Sequence, residues 1–289
     1  PYRRSSDLTI GANSTVALRG LGLSMIDVVK CLTMGRGGRF NIIDHDRLSM
    51  DYQPSGREPR LMLPFSLDGL PLAPKPINAS VDEMFKPDDE ATELVRQTLA
   101  FKNGLPTGRR LHEELVEVVS IISAPIYLKL QTDFDIPSHL VLRHAQVLAL
   151  VRSWLLDETV SHSAIVSRET ATSTAMQQFL AMATGQERPS LDYCVGQIWR
   201  HLQPIMYEKL SFQKFDGKTI NTALELDRRM KRYAFGPPPS ATARLIALTR
   251  SGHLQFRAAN DPDIVMDDGK WKISEGPNQI LADVMINTV

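Results

Sequence analysis

The chain has 289 residues, 43% hydrophobic and 23% charged, an ordinary globular composition with length for one large domain or two smaller ones. Its 33 basic and 33 acidic side chains cancel, which excludes a strong overall field for nucleic acid or an anionic membrane and leaves only local patches. Cys31 and Cys194 have neither CxxC nor zinc spacing, so free thiols in a reducing compartment are expected, cytoplasm or virion rather than a disulfide-forming secretory route.

The chain begins at Pro1, which reads as processing or as a fragment. Leu8–Ile10 and STVALR (14–19) alternate around Gly11 and Asn13 and predict two short strands and a turn. Leu23–Met34 predicts a short helix with Ser24 as its cap and Gly35 as its stop. The following GRGGRF, Gly35–Phe40, is a glycine-rich basic loop without the GxxxxGK[ST] phosphate pattern. Phe40–Ile43 predicts a strand. Asp44, His45 and Asp46 are metal-ligand types, but consecutive strand residues point to opposite faces, so no metal site is assigned.

Seven prolines fall between Pro54 and Pro87, which predicts no helix there. Apolar runs such as LMLPF sit between them, too apolar for a solvated linker, so the stretch reads as an extended arm lying on a surface. A helical pattern then holds from residue 87 to residue 236. Asp88–Lys102 has acidic residues at its positive end and Asn103–Gly104 as its stop. Thr107–Ser123 is cleanly amphipathic and should end at Pro125; His112–Glu113 begins an HExxH pattern, but position 116 is Val.

Ser138–Glu158 is the densest apolar stretch and predicts a buried central helix, because its apolar residues cover most of the circumference. Arg143, His144, Gln146 and Arg152 interrupt it, at about 2.5–3.5 kcal/mol for each ion at mid-bilayer, which argues against a membrane span. Ser161–Thr184 predicts a polar helix rich in threonine. Ser190 caps the next helix, which Pro204 should kink beside Trp199, Arg200 and His201. Thr219–Phe235 predicts the last long helix, with Arg228, Arg229, Lys231 and Arg232 outward as the strongest basic cluster. From Ser240 the period reads as two: RLIALTR and HLQFRA as one hairpin, IVM and KWKIS as a second, and a tail from Asn278 that is either a short helix or a strand.

The expected class is therefore α+β, mainly α: a bundle of about six helices flanked by β-rich ends. The expected divisions are a β-containing segment 1–86 with its proline-rich arm at 54–87, a helical domain 87–236, and C-terminal hairpins 237–289 that could pack with the N-terminal segment. Alternating βαβ units are not visible, which argues against a Rossmann or barrel fold. No GxSxG, no GxGxxG after a strand, no P-loop and no HExxH is present, so no catalytic residue and no cofactor is expected.

On these grounds the first functional expectation is a structural, self-assembling protein such as a capsid or nucleocapsid subunit. Its partner is itself, with nucleic acid as a further partner touched by Arg36, Arg39, Arg228, Arg229 and Arg232. One alternative is a metal-assisted hydrolase or nucleotide-processing enzyme using Asp44, His45 and Asp46. Another is a scaffold module that binds proteins through Ser240–Val289.

Overall fold

The computed structural model describes residues 10–101 and 104–289. The strand expected over Leu8–Ile10 falls largely outside them, as do the helix end at Lys102 and the stop at Asn103. The chain is a mixed α and β protein that divides into two compact units. One comprises residues 1–72, 168–180 and 237–289; the other comprises 73–167 and 181–236.

The first unit carries the sheets. Strand β1 (Thr15–Arg19) is followed by helix α1 (Leu23–Leu32), the ribbon β2 (Arg39–Asp44) and β3 (Ser49–Gln53), and strand β4 (Leu61–Phe65). The C-terminal segment adds β5 (Asp263–Asp267), β6 (Lys270–Glu275), β7 (Asn278–Ala282) and β8 (Val284–Asn287). β1 lies between β4 and β8 and runs parallel to both, in a three-stranded sheet of order β4-β1-β8. This corrects the expectation that βαβ units are absent: β1, α1 and β4 form a parallel pair linked through a helix, with the β2–β3 ribbon inserted in the connection.

LMLPF is not part of a surface arm but is strand β4 itself, buried over Met62–Phe65. Pro64 is tolerated there because of the ladder's phase. Leu61 donates to the Ser14 carbonyl and Phe65 accepts from Gly20, on the β1 side, while Met62 and Ser66 donate outward to His253 and Ala259. Position 64 shares the outward phase, so the missing N–H removes no β1–β4 bond. Beyond that edge, parallel bridges pair Met62 with Leu254 and Ser66 with Asn260.

A core of Val16, Leu18, Met25, Val29, Leu32, Met62, Leu245, Ile246 and Leu248 joins the sheet to α1 and to helix α9 (Pro239–Arg250). α9 corrects the expected RLIALTR strand. Leu245, Ile246, Ala247 and Leu248 are buried consecutively, so there is no alternation, and Pro239 occupies the first turn, where its missing N–H costs nothing. The IVM/KWKIS hairpin forms as β5–β6, and the tail supplies β7 and β8.

The second unit holds α2 (Ala79–Glu83), α3 (Asp89–Thr98), α4 (Arg110–Asp133), α5 (His144–Leu156), α7 (Leu191–Leu210) and α8 (Gly217–Ala234). α2 is a short helix inside the proline-rich stretch, started by Asn78, whose side chain accepts from the Val81 amide at 3.0 Å. The expected helix over Ser161–Thr184 shrinks to α6, Thr172–Ala183.

α4 continues through Pro125 rather than ending there, because Pro125 faces solvent while Val118, Val119, Ile122, Tyr127 and Leu130 are buried on either side of it. Burial of two helical halves outweighs the roughly 3 kcal/mol that an interior proline costs. Among the described residues α4 is the one helix long and apolar enough to cross a membrane, and 61% of its most apolar stretch is buried, as in a core helix.

Ser138–Glu158 is not the buried axis. A 3-10 turn at Ser138–Leu140 and an extended Val141 precede α5, which buries only Val147, Val151, Trp154 and Leu155. Gln131 holds the break open: its Nε2 donates to the Leu142 carbonyl at 3.0 Å and its Oε1 accepts from the Leu142 amide at 2.8 Å. α7 is the most enclosed helix, with Leu191 through Trp199 all buried. Gly196 makes that possible: a Cβ there would lie 2.1 Å from Cβ of Tyr233 on α8.

Candidate functional site

The parallel strands β1, β4 and β8 end on the same side of their sheet. A cavity of about 740 Å³ opens at those ends, lined by Arg19–Gly22 after β1, Phe65–Asp68 after β4, Asn287–Val289 after β8, and Asp261–Ile264. In open α/β sheets the crevice outside the carboxyl ends of the strands is where ligands bind, at the point where neighbouring connections diverge. β4 flanks one side of β1 and β8 the other, so β1 marks that point here.

The sequence builds the turn after β1 tightly. Gly20 has φ of +126°, which L side chains rarely adopt, and a Cβ there would meet Thr288 Oγ1 at 2.7 Å. Its amide donates to the Phe65 carbonyl at 2.7 Å, and the Arg19 carbonyl before it accepts from the Thr288 amide at 2.9 Å, so Arg19 and Gly20 together tie the end of β1 to both neighbours. Gly22 then serves as N-cap of α1 without a side-chain cap bond, and a Cβ at Gly22 would have nothing within 4 Å. The first α1 contact is Ile26 donating to the Gly22 carbonyl at 3.4 Å; the amides before it have no acceptor within the helix. No acidic residue stands in the first turn. The positive end of α1 therefore starts at the cavity wall beside Arg19, while Asp68, Asp261 and Asp263 stand elsewhere around the cavity.

Asp68 is fixed by its own turn. Its Oδ1 accepts from Ser66 Oγ at 3.3 Å and from the Leu70 amide at 3.1 Å, and Arg168 Nη2 lies 4.0 Å from Oδ2. Thr172 Oγ1 donates to the Gly69 carbonyl at 2.7 Å and holds the same turn from α6.

The residues singled out from sequence lie elsewhere. Arg36 Nη1 donates to the carbonyls of Ile10 and Arg57 at 2.8 and 3.0 Å, so its guanidinium ties the GRGGRF loop. Arg39 is exposed on β2. Arg228 is exposed on α8, Arg232 is half-buried there, and Arg229 donates to the Leu155 carbonyl. Asp44 Oδ1 accepts from the amides of Asp46 and Arg47 at 2.9 and 3.0 Å, closing the turn after β2. Among the described residues no group of three His, Cys, Asp or Glu is placed to hold a metal ion.

Other polar clusters are built into the interior. Glu58, 3% exposed, accepts from the Tyr52 hydroxyl at 2.7 Å and from the Ser55 amide at 2.8 Å. Burial alone raises its carboxyl, but those hydrogen bonds prevail and bring it down to about 2. In the helical unit Asp192 is fully buried, accepting from the Val166 amide at 3.1 Å and the Tyr233 hydroxyl at 2.9 Å; burial pushes its carboxyl upward. Arg200 and His201 both bind Asp82, while Trp199 is buried. Burial and the Arg200 charge hold His201 below its ordinary value.

The sequence does not announce the cavity, because the dinucleotide pattern is incomplete. The chain keeps Gly20-Leu21-Gly22 between a strand and a helix, but Met25 fills the third glycine position. Met25 is 2% exposed and packs in the core with Val29, so α1 does not need the close helix–strand approach that a third glycine permits.

No family model matches the chain. Over 64 residues it is 47% identical to nitrosuccinic acid synthase of Aspergillus oryzae, a match covering 22% of this chain and 9% of that protein. Over 52 residues it is 46% identical to L-aspartate N-monooxygenase (nitrosuccinate-forming) of Streptomyces cremeus, covering 18% of this chain and 7% of that protein. The matched segments thus span less than a tenth of either relative, and the likeness is local.

Proposed function

We propose that the sheet-bearing unit binds a dinucleotide cofactor, its pyrophosphate against the Gly20-Leu21-Gly22 turn and the N-terminus of α1, and that it serves an oxidoreductase of the N-oxygenating kind that one relative's name, L-aspartate N-monooxygenase, describes. One observation carries the reading: a glycine turn between a parallel strand and a helix opens on a cavity at the carboxyl ends of β1, β4 and β8. The short likeness to an L-aspartate N-monooxygenase that forms nitrosuccinate, and to a nitrosuccinic acid synthase, supports the class, because monooxygenation consumes reducing equivalents that dinucleotide cofactors carry.

The residues fit such a group. Gly20 takes the left-handed backbone the tight turn requires. Gly22 leaves room for a phosphate where any side chain would stand. The first amides of α1 and the positive helix end favour an anion, and Arg19 adds a cation at the wall. When bound, the cofactor supplies or accepts hydride; the chain's own part is to bind and orient it. Neither the fold nor the two relatives bears on the self-assembly reading, which light scattering of the purified chain addresses separately.

The test is titration calorimetry of the chain with FAD, NAD+, NADP+ and ADP, repeated on Gly22→Asp. Asp is a favoured N-cap and Gly22 has extended φ and ψ of −89° and −169°, so the variant should fold at least as well as the parent. Its carboxylate would stand where the phosphate goes. Saturable binding of at least one dinucleotide, weakened roughly tenfold or more in Gly22→Asp, is the expected result. Absence of binding by all four ligands, or equal binding by the variant, ends the proposal.

A further inference from the structure

Resting on that reading, we infer that the cavity selects an adenosine ribose with a free 2′-hydroxyl over one carrying a 2′-phosphate, and that Asp68 is the residue that decides it. In a β-α-β dinucleotide site the adenosine half lies over the strand that follows the first helix, and the residue at that strand's end reads the ribose. Once the β2–β3 ribbon is set aside, β4 is that strand, parallel to β1 and directly beside it. The residues at its end are Ser66, Leu67 and Asp68, all lining the cavity, with no basic residue among them.

The geometry suits an acceptor for hydroxyl groups. Two donors, Ser66 Oγ and the Leu70 amide, hold Oδ1, so the carboxylate meets a ligand already oriented. The side chain remains 24% exposed. Arg168, from outside the cavity lining, places its Nη2 4.0 Å from Asp68 Oδ2. A guanidinium in that position could hold a 2′-phosphate, but the carboxylate in between would repel the same phosphate and already engages the arginine. Asp68 therefore does two things at once: it accepts from a ribose hydroxyl and withholds Arg168 from a phosphate. Of the other charged groups on the cavity wall, Arg19 is the register partner of Phe65 on β1 and Asp261 donates its amide to the Ser66 carbonyl at 2.7 Å, so both flank the end of β4 from neighbouring segments, while Asp68 is the charged side chain that follows β4 itself; Asp263 completes the set.

The experiment measures affinities of ADP and of adenosine 2′,5′-bisphosphate for the full chain, Asp68→Asn, Arg168→Gln and the double variant. Asn keeps an Oδ1 for Ser66 and Leu70, so the turn survives, and unchanged thermal unfolding checks that. The parent chain should prefer ADP by roughly tenfold or more. Asp68→Asn should shift the ratio toward the bisphosphate by about tenfold, and adding Arg168→Gln should cancel the bisphosphate gain. A ratio that Asp68→Asn leaves unmoved, or a parent that prefers the bisphosphate, overturns the inference while leaving dinucleotide binding intact. If neither probe binds the parent, both the inference and the reading beneath it fall.

Discussion

Gly196 in the helical unit and Gly22 in the sheet-bearing unit lack the same atom for opposite reasons. At Gly196 the place of the missing Cβ is taken by protein: Tyr233 of α8 comes within 2.1 Å of it. At Gly22 that place is open, at the wall of a cavity, on a helix end where a serine or aspartate would ordinarily improve the cap. A glycine filled from within the fold is a packing residue. Gly22 instead forgoes a side-chain cap bond and leaves its space open, which suits the phosphate proposed there. In the helical unit the Asp192–Tyr233 pair is closed inside the fold, whereas in the sheet unit the ends of three parallel strands face a cavity.

The largest effect should come from the packed glycine. Gly196→Ala must push α8 away from α7, at a cost of about 3 kcal/mol or more, read as a lower denaturation midpoint, while ADP affinity of the folded protein stays unchanged. Loss of ADP binding in that variant would break the separation of roles. Gly22→Asp should do the reverse: affinity for ADP falls about tenfold or more, and stability stays level or rises by about 0.5 kcal/mol.

A smaller effect tests the polar interior of the sheet unit. Glu58 sits below its ordinary 4.5 in the folded chain, at about 2, so its contribution is fully present above pH 4.5 and is lost as pH falls toward 2. Unfolding free energy should drop by about 2 kcal/mol across that range, and Glu58→Gln should flatten that part of the curve. An unchanged slope in the variant would mean the Tyr52 and Ser55 bonds do not favour the charged form. Smallest of all, Glu117→Gln breaks the exposed pair with Arg152 and should move stability by no more than about 0.5 kcal/mol.

The local elements of the site were readable in the sequence. STVALR and LSMIDVVKCL give β1 and α1 by period alone, and the IVM/KWKIS hairpin follows from its Asp267–Gly269 turn. What could not be read is pairing. β1, β4 and β8 come from distant parts of the chain, and nothing in LMLPF says that its proline falls in the outward phase of a parallel edge strand. Without that pairing the Gly20-Leu21-Gly22 turn is only a turn. α9 was missed for a different reason: four buried residues in a row fit a strand or a helix, and the decisive signal was Pro239 at the helix start. Ser138–Glu158 misled because apolar content measures what could be buried, not what is; α7, with Asp192 and Gln197 among its residues, is buried far more completely.

Backbone resonances report directly on whether the amides opening α1 receive a phosphate. In an ¹⁵N-resolved titration with ADP, saturable shifts are expected at Gly20, Gly22, Leu23, Ser24 and Met25, with Tyr193 and Gly196 of α7 unmoved. Shifts that spare α1 and gather in the helical unit, or no shifts at all, would contradict phosphate binding there.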